Sequence, residues 1–150
     1  MTTTDFSISE TVKSSPDEAF KAITERIPDW WSKHFEGAAV ESGQIFKIGF
    51  DANMSTFKKM RIGAIEAGRS VEWECIDSYL NVDFLNNRSE WIGTKMIWTV
   101  EPSGTGSRIS ITHEGLNAEL ECYEVCEAGW QQFFGSLVNL LNTGKGHPFN

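Results

Sequence analysis

Cysteine is scarce in this chain and odd in number: Cys75, Cys122 and Cys126 are the only three among 150 residues. A sparse, unpaired set argues against a disulfide framework. With no signal peptide legible at the N-terminus, the expected location is cytoplasmic. Cys122 and Cys126 stand one helical turn apart, but no second Cys or His pair completes a zinc set, so no metal is expected. Long apolar runs are missing as well, and nothing approaches the roughly 18 residues of a membrane span. Basic residues are the minority charge, 13 Lys and Arg against 21 Asp and Glu, for a formal net charge of −8. That balance repels phosphate backbones and anionic lipid, which argues against nucleic acid or a membrane as partner. The one basic cluster, Lys58-Lys59-Arg61, divides between two strand faces and reads as a solvated edge. No nucleophile elbow, phosphate loop, metal triad or dinucleotide fingerprint is found, so no cofactor is expected. Only three histidines are available for acid–base chemistry. His34 reads as part of a surface turn and His147 as part of the tail, which leaves His113 as the one interior histidine.

What the chain does have is aromatic bulk: six Trp and ten Phe. Between Ala118 and Leu141 apolar residues fall at Leu120, Tyr123, Cys126, Trp130, Phe133, Phe134, Leu137, Leu140 and Leu141, at steps of three and four. That period predicts an amphipathic helix of roughly 22 residues, about 33 Å long at 1.5 Å per residue. Asn142 through Pro148 stop it. At the other end, Asp5–Lys13 alternates as a strand, with Glu10 on its apolar face. Ser15, Pro16 and Glu18 then open a short helix with the buried stripe Ala19, Phe20, Ile23 and Ile27. Pro28 ends it, and Asp29–Lys33 reads as a helical turn on which Trp30 and Trp31 diverge. A meander follows: Ala38–Glu41, Gln44–Phe50, Thr56–Glu66, Arg69–Tyr79, Thr94–Glu101 and Arg108–Glu114. Its turns fall at Ser42-Gly43, Asp51-Ala52-Asn53, Ala67-Gly68 and Pro102–Gly106. Only the first four residues and the last few lack such patterning. The expected fold is α+β, one domain over residues 1–150. Two short helices follow strand 1, and a curved antiparallel sheet of about six to seven strands wraps a long C-terminal helix.

Four stretches carry a resemblance over nearly the whole chain. They are the opening strand with Ser15-Pro16-Asp17-Glu18-Ala19-Phe20, Trp30-Trp31 with Phe35-Glu36-Gly37, Gly43-Gln44-Ile45-Phe46, and Gly129-Trp130 through Leu137 and Leu140 to Thr143-Gly144-Lys145-Gly146. Together they resemble the SRPBCC or START-like superfamily with its helix-grip fold. The branch most resembled is that homologous to the activator of heat-shock protein 90 ATPase. The resemblance implies a cavity between sheet and helix. Members bind lipids, sterols, hormones or polyketides, and a few catalyse cyclisation or dehydration. It carries over no catalytic motif.

Strand alternation nominates the inward residues independently: Phe46, Ile48 and Phe50; Met60, Ile62 and Ala64; Val71, Trp73, Cys75 and Tyr79, with Asp77; Met96, Trp98 and Val100; and Ile109, Ile111 and His113. Glu10, Asp77 and His113 would be costly to bury unpaired. The candidate ligand-binding set is therefore Trp73, Asp77, Tyr79, Met96, Trp98, His113, Tyr123, Trp130, Phe133 and Phe134. Gly129 and Gly135 interrupt the long helix at a propensity cost of about 1 kcal/mol each, either for a close strand or for empty space. The expected function is binding of a small hydrophobic, lipid-like or aromatic molecule, without defined catalysis. A cyclase or dehydratase using His113 and Asp77 is the second reading. A co-chaperone role with heat-shock protein 90 is the third, and a homodimer stays open. The loop Asn81–Trp91, with Leu80, Phe84, Leu85 and Trp91, is read as a lid over the pocket.

Overall fold

The computed structural model describes residues 4–51, 53 and 55–149. Met1–Thr3 and Ala52, which belong to two of the segments read above, lie outside the described residues. Strand β1 (Phe6–Val12) leads through Ser15 into helix α1 (Pro16–Glu25), where the Ser15 hydroxyl accepts the Glu18 N–H at 3.2 Å. Helix α2 (Ile27–Trp30) follows at once. Strands β2 (His34–Gly37), β3 (Ile45–Gly49), β4 (Phe57–Glu66), β5 (Ser70–Tyr79), β6 (Lys95–Ser103) and β7 (Gly106–Glu114) then lead to helix α3 (Tyr123–Thr143). The seven strands form one antiparallel sheet in the order β1-β7-β6-β5-β4-β3-β2, with the helices packed against one face.

Three local expectations shift. The strand expected at Ala38–Glu41 lies instead at β2, four residues earlier. It ends at Gly37, whose φ of +99° and 2.1 Å approach of a virtual Cβ to the Ile45 carbonyl oxygen leave no room for a side chain. His34 is therefore a half-buried strand residue and not part of a surface turn. The long helix begins at Tyr123 because the Glu90 carboxylate reaches over from the preceding loop. It accepts the N–H groups of Glu121 (3.2 Å) and Cys122 (2.9 Å), supplying a cap that the local sequence lacks. At the far end Gly144, at φ +85°, closes the last turn on Leu140. The tail beyond it is bonded: Phe149 exchanges backbone hydrogen bonds with Trp31 and Lys33.

All six tryptophans are buried. Trp30 and Trp31 do not diverge. Trp31 caps α2 with its N–H still bonded to the Ile27 carbonyl, and the two rings stack 5.6 Å apart at 6°. Trp31 also stacks on Trp73 and meets Trp130 at 5.0 Å. This aromatic column joins α2, the sheet and α3, and each ring in it hides on the order of 150–250 Å².

Two bulges decide which side chains face inward. In β5, Met60 pairs with Cys75 but Lys59 pairs with Asp77, so Ile76 is the extra residue. Beyond it the alternation changes phase. Ser78 turns inward at 2% exposure, while Asp77 and Tyr79 turn out to solvent. In β4 a second irregularity between Ile62 and Ile65 turns Ala64 outward. Glu10 is also exposed.

Candidate functional site

A pocket of about 180 Å³ lies between the sheet and α3. α3 contributes Val125, Cys126, Gly129, Trp130 and Phe133; the sheet side contributes Phe50, Thr56, Lys58 and Leu80; Trp31 and Trp91 complete the lining. A methyl group built on Gly129 would meet nothing within 4 Å, so this glycine faces open space and admits no closely packed strand. The same holds at Gly135, an exposed position. Phe50, Thr56 and Leu80 are half-buried and Val125 is 38% exposed, so these residues form a rim open to solvent.

The loop after β5 is built into this wall. Trp91 (5% exposed) and Leu85 (4%) are buried, whereas Phe84 points outward at 66%. Glu121 holds the loop by accepting the N–H groups of Asn86 and Asn87, both at 2.8 Å, and Glu90 holds it from the other side as the α3 cap.

Of the ten nominated residues, two line the pocket: Trp130 and Phe133. Trp73, Met96 and Trp98 are fully buried in the core behind it, where the indole N–H groups of Trp73 and Trp98 meet no acceptor. Phe134 stacks against Trp98 and borders a groove toward β1. Tyr123 is half-buried, donating its hydroxyl to Glu127 at 2.8 Å outside the pocket. Asp77 and Tyr79 lie on the outer face, Tyr79 accepting from Arg88 at 3.1 Å.

His113 is wholly buried, and both ring nitrogens are engaged. Trp130 Nε1 donates to Nδ1 at 3.0 Å, so the ring proton sits on Nε2 and is donated to Thr94 Oγ1 at 2.8 Å. Thr94 passes its own proton to the Trp91 carbonyl at 2.6 Å. Burial, with the Lys58 charge adding to it, pushes the His113 pKa down to about 3. A neutral, fully bonded histidine that does not line the pocket can fix Trp130 and Trp91 in place. It has no free nitrogen for a substrate, and Asp77 is on the other side of the sheet. The His113–Asp77 pair required for cyclase chemistry is not assembled.

Sequence reasoning missed Lys58 and Cys126. Lys58 belongs to no solvated edge: it is 5% exposed, and its Nζ stands over the Trp91 ring, 4.0 Å from the centre. Among the described residues no carboxylate pairs with it. Glu90, which borders the same region, is occupied by the α3 cap. Burial lowers the Lys58 pKa. Cys126 Sγ accepts the Trp91 Nε1–H at 3.1 Å. The neighbouring Cys122 thiol holds the Cys126 pKa down against burial, helped by Lys58 and Trp91. Cys75, by contrast, is pushed up to about 11 by burial. The sequence signal for Lys58 was plain alternation: it stands two residues before the inward Met60 and four before Ile62.

Among the described residues no cluster of His, Cys, Asp and Glu could hold a metal, and no helix is long and apolar enough to cross a membrane. A seven-stranded antiparallel sheet gripping a C-terminal helix, with a pocket between them, defines an α+β helix-grip protein of the START-like class. Residues 13–142 match the family model described as activator of Hsp90 ATPase homolog 1-like protein, and the chain belongs to that family. None of the curated proteins matches the chain. Among solved structures, the Aha1 dimer from Colwellia psychrerythraea is similar at TM-score 0.75 and 21% identity, covering 97% of this chain and 100% of that one. Protein MLL2253 from Mesorhizobium loti gives 0.71 and 19%, over 91% and 95%. DynU16, described as a putative protein in the dynemicin biosynthetic locus, gives 0.69 and 18%, over 93% of this chain and 48% of that one. At these identities the likeness is one of fold.

Proposed function

We propose that this chain, as one domain, binds a small apolar molecule in the pocket between the sheet and α3 and does not transform it. The observation that carries this reading is the open space at Gly129. A helix that could hold alanine there keeps glycine, at about 1 kcal/mol in propensity, beside a void walled by Trp31, Trp91, Trp130 and Phe133. A dry void of roughly 150 Å³ suffices for benzene, and this pocket is slightly larger at about 180 Å³. Mostly apolar walls with few polar groups are the ordinary make-up of ligand pockets. Neither acid–base chemistry through His113 nor a chaperone surface has a comparable observation behind it.

Tryptophan fluorescence titration with 1-octanol tests the reading, because three of the walls are indoles. Saturable quenching or a spectral shift is expected in the wild type. Gly129→Leu, which sends a side chain into the void, is expected to lower affinity at least tenfold while the protein still melts cooperatively. Saturable binding that survives Gly129→Leu unchanged would place the ligand elsewhere.

A further inference from the structure

We propose that the ligand is an apolar monocarboxylate whose carboxylate pairs with Lys58 while its hydrocarbon tail runs past Gly129 toward the rim at Val125. This rests on the reading of the pocket as a ligand site and names the chemistry of its occupant.

A buried ammonium without a counter-charge costs several kcal/mol, and proteins normally pair it. Lys58 is 5% exposed, lines the pocket and, among the described residues, is in a salt bridge with no carboxylate: Glu90, which borders the same region, caps α3, and the ionisable neighbour on the pocket wall is the Cys126 thiol. The Trp91 ring at 4.0 Å offers part of the missing stabilisation, since a ring face attracts a cation but accepts no strong hydrogen bond. Ser78 is the cross-strand partner of Lys58, so their side chains share one face of the sheet. Its hydroxyl is buried and, among the described residues, has no hydrogen-bond partner of good geometry, its neighbour being the Cys75 thiol. The Lys58 amine at the pocket wall is a donor waiting for an acceptor from outside the chain, and Ser78, on the same face of the sheet though not on the pocket lining, carries a buried hydroxyl as well. A carboxylate supplies the charge and the lone pairs together.

The same geometry narrows the anion. Among the described residues Lys58 is the only cationic side chain lining the pocket, which matches one negative charge. A phosphate monoester would bring close to two, and its sites collect several donors or an arginine fork. The remaining walls, Trp31, Phe50, Leu80, Val125, Trp130 and Phe133, are apolar and call for a hydrocarbon tail. A net charge of −8 makes non-specific attraction of anions unfavourable, so any preference for an acid must arise locally.

Three probes of one length test this: octanoate, 1-octanol and octylamine, titrated into the wild type and into Lys58→Met. In the wild type octanoate is expected to bind at least tenfold more tightly than 1-octanol, with octylamine the weakest. In Lys58→Met that preference is expected to vanish through loss of octanoate affinity, with 1-octanol affinity kept within about twofold. If 1-octanol saturates the pocket but octanoate binds no better, the Lys58 assignment is overturned while the pocket reading stands. If none of the three binds, both fall. The wild-type ranking alone decides the matter should Lys58→Met fail to fold.

Discussion

His113 and Lys58 flank the same indole and have opposite fates. His113 meets the Trp91 ring edge-on at 4.5 Å, and Lys58 sits over its face at 4.0 Å. Both side chains are buried and both belong to strands of one sheet. His113, however, has a partner on each nitrogen, supplied by Trp130 and Thr94, and does not border the pocket. Lys58 has no carboxylate partner among the described residues and does border it. A buried polar group whose hydrogen bonds close within the chain is part of the scaffold. One left open at a cavity wall marks where something from outside belongs. Here the histidine that looks like chemistry in the sequence is structural, and the lysine that looks like surface is the group aimed at the ligand.

The comparison breaks most visibly at His113. His113→Ala would strand the Trp130 N–H and the Thr94 hydroxyl and leave a hole, so denaturant unfolding should show a loss of about 3 kcal/mol. The ratio of octanoate to 1-octanol affinity should hold within about twofold in protein that remains folded; a collapsed ratio would put His113 in the site. Acid sharpens the contrast. With a folded pKa near 3 and an ordinary value of 6.5, the unfolded chain takes up a proton on His113 between those values and the folded chain does not. Stability is therefore unaffected by this group above about pH 6.5 and falls as pH drops toward 3, by up to about 1.4 kcal/mol per pH unit. His113→Gln should flatten the wild-type slope over that window; an unchanged slope would mean the folded protein protonates His113 freely. The smallest effect should come from Lys58→Met. It removes an unpaired buried amine, and unliganded stability should rise by about 1 kcal/mol. A fall of that size would make Lys58 a scaffold residue like His113.

The architecture was legible because its signals are local and repetitive. The Ser15-Pro16 start, the three-four spacing down α3 and the alternation of β3, β6 and β7 each point to the element observed. The site was less legible because it depends on register. Asp77 and Tyr79 follow the inward residues Val71, Trp73 and Cys75 at the right period. One inserted residue, Ile76, turns both outward and Ser78 inward, and nothing in the composition of β5 announces a bulge. Ala64 was misplaced for the same reason. The start of α3 was hidden because its cap comes from Glu90, over thirty positions upstream of the N–H groups it satisfies. Gly129 is legible in the sequence as a place to seek space, and Trp91, in the loop read there as a lid, belongs to the pocket wall. Lys58 was obscured by its neighbours Lys59 and Arg61, which do face outward.

The most direct test is a crystal structure of the wild-type protein with octanoate. A carboxylate oxygen about 2.8 Å from Lys58 Nζ, with the chain lying beside Gly129 and its methyl end toward Val125, is the expected result. An octanoate with its carboxylate in solvent at the rim and its methyl end against Lys58 would contradict it.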